Sequence, residues 1–180
     1  NERMRTIIDD TLEYARASEE IDLKSEINLK RFITEVIDDL QGEISMADAT
    51  INFGKLPTVI GNSTLIRILF QNLLSNAIKF RSPDRKPIIT VSSKDQEDPN
   101  FCVIKVTDNG IGIDTKYHDK IFGQFERLHT YKEYPGTGLG LSVCKKIVTK
   151  LGGKIRISSV VGEGTTFEID LMKAGKGQFE

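Results

Sequence analysis

STLIRILFQNLLSNAIKF, residues 63–80, carries the strongest helical signal in the chain. Ile66, Leu69, Phe70, Leu73, Ala77 and Phe80 recur at steps of three and four, which puts them on one stripe of a helix. Asn62 stands where an N-cap belongs, its side-chain oxygen ready for the N–H groups that a first turn leaves unpaired. Pro83 and Pro87 stop the segment, because proline has no N–H to extend the ladder. Asn72, Asn76 and Lys79 follow one another at i, i+4 and i+7. At ~100° per residue they share one narrow face, turned roughly 100° from the apolar stripe. Asparagine is a poor helix former, so propensity does not explain two of them. An amide carbonyl can ligate Mg²⁺, and an ammonium can neutralise phosphate oxygens. A merely solvated helix face would also accept these residues.

Working outward, strands are predicted at Ile88–Ser93 and Phe101–Thr107, joined by the polar loop KDQEDPN. Upstream, Leu29, Phe32, Ile33, Val36, Ile37 and Leu40 return to helical spacing. Thr50–Phe53 and Thr58–Ile60 are short strand candidates around a Gly-Lys-Leu-Pro turn. Residues 1–20 show an amphipathic helical pattern, and 21–30 read as a connector with a short extended piece. Downstream, a short helix is expected near Tyr117–Phe125. A longer one runs from Leu139 to Leu151, closed by Gly152-Gly153. Lys154–Val160 and Thr165–Leu171 flank Val161-Gly162-Glu163-Gly164 as a hairpin. Mixed helices and strands with a closing antiparallel pair indicate an α+β fold. The expected form is a two-layer α/β sandwich with a mixed sheet and helices on one face. The tail from 173 to 180 is expected to be loose.

Composition narrows the function. The 25 Lys+Arg and 26 Asp+Glu leave a net charge of −1, which argues against a nucleic-acid binder built on a basic face. No apolar run of membrane-spanning length and no secretion signal is visible, so a cytoplasmic location is expected, with a membrane tether on the full-length protein left open. The chain begins without Met in the middle of a helical pattern, which suggests a piece of a longer protein. Cys102 and Cys144 lie in strand-like and helix-like runs and read as small core residues. His118 and His129 have no partners at metal-ligand or triad spacing.

Two glycine motifs remain. Asp108-Asn109-Gly110-Ile111-Gly112-Ile113 puts a carboxylate at a strand end, where it could read an exocyclic amine, and two glycines where a flat ligand could come close. A simple turn after a strand accounts for it equally. Gly136-Thr137-Gly138-Leu139-Gly140 runs into a helix N-terminus, an anion site by its N–H groups and dipole, or else a hinge. It is neither a P-loop nor a Rossmann fingerprint. The polar stretch between the motifs reads as a lid. Phe122 and Phe125 are expected to anchor it in the core, and Arg127 could reach a phosphate.

In order along the chain, QNLLSNAIKF, DNGIGI, IFGQFER, GTGLGL and GEGTTF resemble the N, G1, F, G2 and G3 boxes of histidine-kinase catalytic domains. Those domains belong to the ATPase family shared with type II topoisomerases, mismatch-repair ATPases and a heat-shock chaperone. The wording is most similar to phytochrome-type and related bacterial sensor kinases. The resemblance implies ATP between the long helices and the lid. Asn76 would ligate Mg²⁺, Asn72 would assist at phosphates or metal, and Lys79 would contact phosphate. Asp108 would hold the adenine amine, with Phe80, Gly110, Gly112 and Ile113 around the base. Gly136, Thr137, Gly138, Leu139 and Gly140 would cradle the phosphates, and Thr166 would join the Asp108 network through water. Residues 1–20 would be the second helix of a dimerisation and phosphotransfer hairpin, and 21–172 the catalytic domain. The implied activity is transfer of the γ-phosphoryl group to a histidine on a segment outside this chain, then to an aspartate of a response regulator. The full-length protein would be a homodimer. An ATP-hydrolysing clamp and a nucleotide-binding module without catalysis are the alternatives.

Overall fold

The computed structural model describes residues 24–126 and 137–175, together with Leu12, Leu128 and Tyr134. The helix expected over 1–20 therefore lies outside the described residues, apart from Leu12. The chain forms β1 (Ser25–Asn28), α1 (Leu29–Asp39), α2 (Gln41–Ala47), β2 (Thr50–Phe53), β3 (Thr58–Gly61) and α3 (Ser63–Lys79). It continues with β4 (Ile88–Asp95), β5 (Phe101–Asp108), α4 (Gly140–Lys150), β6 (Ile155–Val160) and β7 (Gly164–Met172).

The caps are where the residue types put them. Asn62 Oδ1 accepts from Leu65 N at 3.1 Å to start α3, and Asn28 Oδ1 accepts from Arg31 N at 3.1 Å to start α1. Gly152, past the end of α4, has φ +80, a left-handed conformation that glycine adopts freely. Two departures from expectation are local. Helix α2 is seven residues long and turns only Ile44 and Ala47, both partly buried, toward the core, too short a pattern to betray it. The helix expected over 117–125 is instead two 3-10 turns, Thr115–Tyr117 and Lys120–Phe122. Asp114 caps the first turn through Lys116 N, and Gly123 ends the second.

Five strands make one mixed sheet in the order β2-β4-β5-β7-β6, with β2 and β4 parallel and the other pairs antiparallel. Strands β1 and β3 form a separate antiparallel ribbon. The start of the expected loose tail is tied to that ribbon. Lys173 bridges Val59, and Ala174 N donates to Thr58 O at 3.0 Å.

Strand alternation sorts the sheet into two faces. Ile89, Val91, Ile104, Val106, Phe167, Ile169 and Leu171 point inward. Against them pack Leu69, Phe70, Leu73 and Leu74 of α3, Ile33 and Val36 of α1, and Ile147 and Val148 of α4. Helix α3 is buried over more of its circumference than a single stripe, because it runs between the sheet, α1 and α4. The outer face is ionic. Glu168 pairs with Lys105 and Arg156, and Arg156 holds both oxygens of Asp170 at 2.7 and 2.9 Å. Both cysteines are buried and neither is in a disulfide, and burial pushes the Cys102 thiol up to about 11. No helix among the described residues is long and apolar enough to cross a membrane.

Candidate functional site

The one-faced arrangement of helices leaves a cleft between the C-terminal half of α3, the loop after β5, the 3-10 segment and the start of α4. It holds a cavity of about 310 Å³. Asn72, Asn76, Lys79 and Phe80 form one wall, and Asp108, Gly112, Ile113, Thr165 and Phe167 form the base. Thr137, Gly138 and Gly140 close the other end, with Leu128, Tyr134 and Glu126 across the opening.

Asp108 sits where β5 ends. Its Oδ1 accepts from Gly110 N at 2.8 Å and from Thr165 N at 3.2 Å. Both of these bonds fall on Oδ1. Burial pushes this carboxyl above its ordinary value, against the pull of those two N–H groups and of Arg85. The opposite end is cationic and amide-rich. Asn72 Nδ2 donates to Ile68 O at 3.0 Å, and Asn76 lies one turn further on. The Lys79 ammonium rests 4.4 Å from the centroid of the Phe80 ring, whose centroid lies 5.0 Å from that of Tyr134. The N-terminus of the eleven-residue helix α4 opens beside Asn72. Such an end offers unpaired N–H groups and a positive dipole end to an anion. One end of the cavity can therefore read a hydrogen-bond donor on an otherwise apolar ligand, and the other can neutralise charged oxygens.

Comparison with known proteins agrees with this geometry. Residues 61–175 match the model of the histidine kinase-, DNA gyrase B- and HSP90-like ATPase family. The chain belongs to that family. It is 40% identical over 173 residues to cyanobacterial phytochrome A of Nostoc sp., covering 96% of this chain and 22% of that protein. The chain thus spans about a fifth of the length of that curated relative. Among solved structures, the mycobacterial sensor histidine kinase MprB superposes with a TM-score of 0.72 at 27% identity, covering 84% of this chain and 98% of that one. Full-length ShkA, solved in complex with AMPPNP, shares the fold at a TM-score of 0.77 and 21% identity, covering 93% of this chain and 36% of that one. The expected mixed sandwich and the resemblance to histidine-kinase ATP-binding domains both hold.

The residues that carried this ATPase resemblance do not all line the described cavity. Asn72, Asn76, Lys79, Phe80, Asp108, Gly112, Ile113, Thr137, Gly138 and Gly140 meet on the cavity. Arg127 and Gly136 lie outside the described residues. Leu139 is a buried plug whose carbonyl accepts from Ser142 Oγ at 2.7 Å. Thr166 stands on the outer face of the sheet, 3.0 Å from Thr107 Oγ1. Its neighbour Thr165 faces inward and meets Asp108, since consecutive strand residues point to opposite faces.

Glycines 110 and 112 serve the protein's own packing. A Cβ on Gly110 would stand 2.4 Å from Phe80 O, and one on Gly112, at φ +70, would stand 2.0 Å from Val160 O. Phe122 packs edge-on against Phe167 at 6.3 Å, but Phe125 is 63% exposed at φ +59 and does not anchor the lid in the core. Sequence reasoning missed Thr165, Tyr134 and Arg85. Strand parity in β7 could have found the first, and an aromatic in a polar lid the second. Nothing local marks Arg85.

Proposed function

We propose that the chain binds ATP with Mg²⁺ in this cavity and presents the γ-phosphoryl group to a histidine on a segment outside it. What carries the proposal is the polarity of the cavity. A half-buried carboxylate held by two backbone amides marks one end, and Asn76, Lys79 and the α4 N-terminus mark the other. Asp108 accepts from the adenine amine, and Phe80 and Ile113 cover the base. The N–H groups of the Gly138–Gly140 turn and Lys79 hold phosphate oxygens.

The residues present also fit Mg²⁺. That ion keeps few protein ligands beside substrate phosphates, and the amide oxygen of Asn76, assisted by Asn72, is a donor of the right hardness. When bound, the metal would draw charge off the phosphates. In the transfer, the bond between the β,γ-bridging oxygen and the γ-phosphorus breaks and a phosphorus–nitrogen bond forms. ADP leaves with the bridging oxygen. The chain's own part is positioning and charge neutralisation.

Helix α3 contributes no Asp or Glu of its own; the residue before Asn76 is Ser75, whose hydroxyl donates to Glu43 Oε2 at 2.8 Å. This favours transfer over hydrolysis. By the same reading, the full-length protein is a homodimer that passes the phosphoryl group on to an aspartate of a response regulator.

Calorimetry with a non-hydrolysable ATP analogue, with and without Mg²⁺, tests the first step. Binding that Mg²⁺ strengthens and Asp108→Asn removes is the expected result. A parent chain that does not bind the analogue refutes the proposal.

A further inference from the structure

Arg85 lies in the connection between α3 and β4, away from every glycine motif. Its Nε donates to Asn109 O at 2.6 Å, and one terminal nitrogen donates to Gly110 O at 2.9 Å and Gly162 O at 2.6 Å. The three carbonyls belong to two segments, the turn after β5 and the tip of the β6–β7 hairpin. These segments also meet Asp108, whose Oδ1 takes N–H groups from Gly110 and Thr165. The carboxylate thus grips one side of the junction and the guanidinium the other. Asn109 completes the arrangement. Its Oδ1 accepts from Ile88 N at 2.8 Å, and its Nδ2 donates to Lys86 O at 3.0 Å, which ties the Arg85 loop to the same turn.

We propose that Arg85 is a positioning residue for base recognition. Its guanidinium fixes the turn and the hairpin tip so that Asp108 presents Oδ2 to the amine of an adenine, and this sets the preference for adenine over guanine nucleotides. The inference rests on the ATP reading above.

The chemistry requires arginine. Arg85 meets the three carbonyls from two nitrogens of one rigid plane, whereas the three N–H donors of a lysine all sit on one nitrogen at the end of a flexible stem. A guanine would set its carbonyl oxygen where adenine has its amine, facing the Asp108 carboxylate with acceptor against acceptor. That discrimination survives only while the carboxylate is held in place. Arg85 is also the charged side chain that acts on Asp108 and helps keep it ionised; Lys79 and Glu126 line the same cavity further out.

The test uses the 180-residue chain with Arg85→Lys and Arg85→Met. Affinities for AMPPNP and its guanine counterpart are measured by calorimetry across neutral and mildly acid pH, with melting curves as the check on folding. The expected result is a loss of roughly tenfold or more in the ATP-to-GTP analogue affinity ratio in both variants. In Arg85→Met the pH below which AMPPNP binding fades should also move upward, while Arg85→Lys, which keeps the charge, stays near the parent. A general loss of stability would lower both affinities together and leave their ratio alone, which would overturn the proposal. So would an Arg85→Lys variant whose ratio stays within about twofold of the parent. If Arg85→Met does not fold, the Arg85→Lys ratio decides. A parent chain that binds neither analogue refutes the ATP reading itself, before any variant is compared.

Discussion

Gly140 and Asn72 approach so closely that a Cβ on the glycine would stand 2.5 Å from Asn72 Oδ1. The first turn of α4 is thereby pressed directly onto the amide face of α3, and the charged end of the cavity exists because of that contact.

Substituting Gly140→Ala should therefore separate folding from binding. Gly140 is the first residue of its helix, where alanine is well tolerated, and the group it strikes is the end of a side chain that can swing away. The melting temperature is expected to stay near the parent's. Affinity for an ATP analogue should fall about tenfold or more, because Asn72 and the α4 N-terminus no longer converge. Unchanged affinity in calorimetry would contradict this.

Gly112→Ala should behave in the opposite way. Here the added carbon meets backbone, Val160 O at 2.0 Å, at a φ of +70 that L-residues rarely adopt. Neither partner can rotate away. A loss of roughly 1–3 kcal/mol from the backbone conformation alone is expected in denaturant unfolding, and more from the collision.

Asp108→Asn is expected to leave stability at neutral pH equal to or above the parent's, although it removes nucleotide binding. Burial raises the Asp108 carboxyl above its unfolded value, so the native state binds the proton more tightly than the unfolded state. Stability then falls as pH rises through the window between the two values, and the ionised group is a burden above it. Asparagine keeps an acceptor for the two backbone N–H groups and carries no charge. The advantage of the variant should vanish as pH is lowered through that window, and melting curves against pH check the sign. A variant markedly less stable than the parent at neutral pH would show that Arg85 and the two amides outweigh the burial.

Tyr134→Ala removes the ring that lies 5.0 Å from Phe80. An aromatic pair of this kind contributes about 0.5–1.5 kcal/mol beyond its buried area. Because the partner sits in the lid, the loss should appear in nucleotide affinity, a few-fold to about tenfold, and hardly in the melting temperature.

Much of this domain was legible without coordinates, for a physical reason. Helix periodicity, caps, turn glycines and strand alternation are local, so α3 with its Asn62 cap and the β6–β7 hairpin followed from residue spacing alone. The spacing of Asn72, Asn76 and Lys79 likewise determined that they share a face, since helix geometry allows nothing else. Helix α2 escaped because it is seven residues long and packs only Ile44 and Ala47, partly buried, against the core. What only the tertiary structure decided are contacts between segments far apart in the chain. The parallel pairing of β2 with β4 is one. The choice of Thr165 over Thr166 is another, because the register of β7 against β5 decides which threonine faces Asp108. The reason for Gly110 and Gly112 is a third, since the atoms they spare belong to Phe80 and Val160. Arg85 is the clearest case. Its three acceptors come from loops 24 to 77 residues further along the chain, and no local pattern can announce a guanidinium whose partners the fold alone brings together.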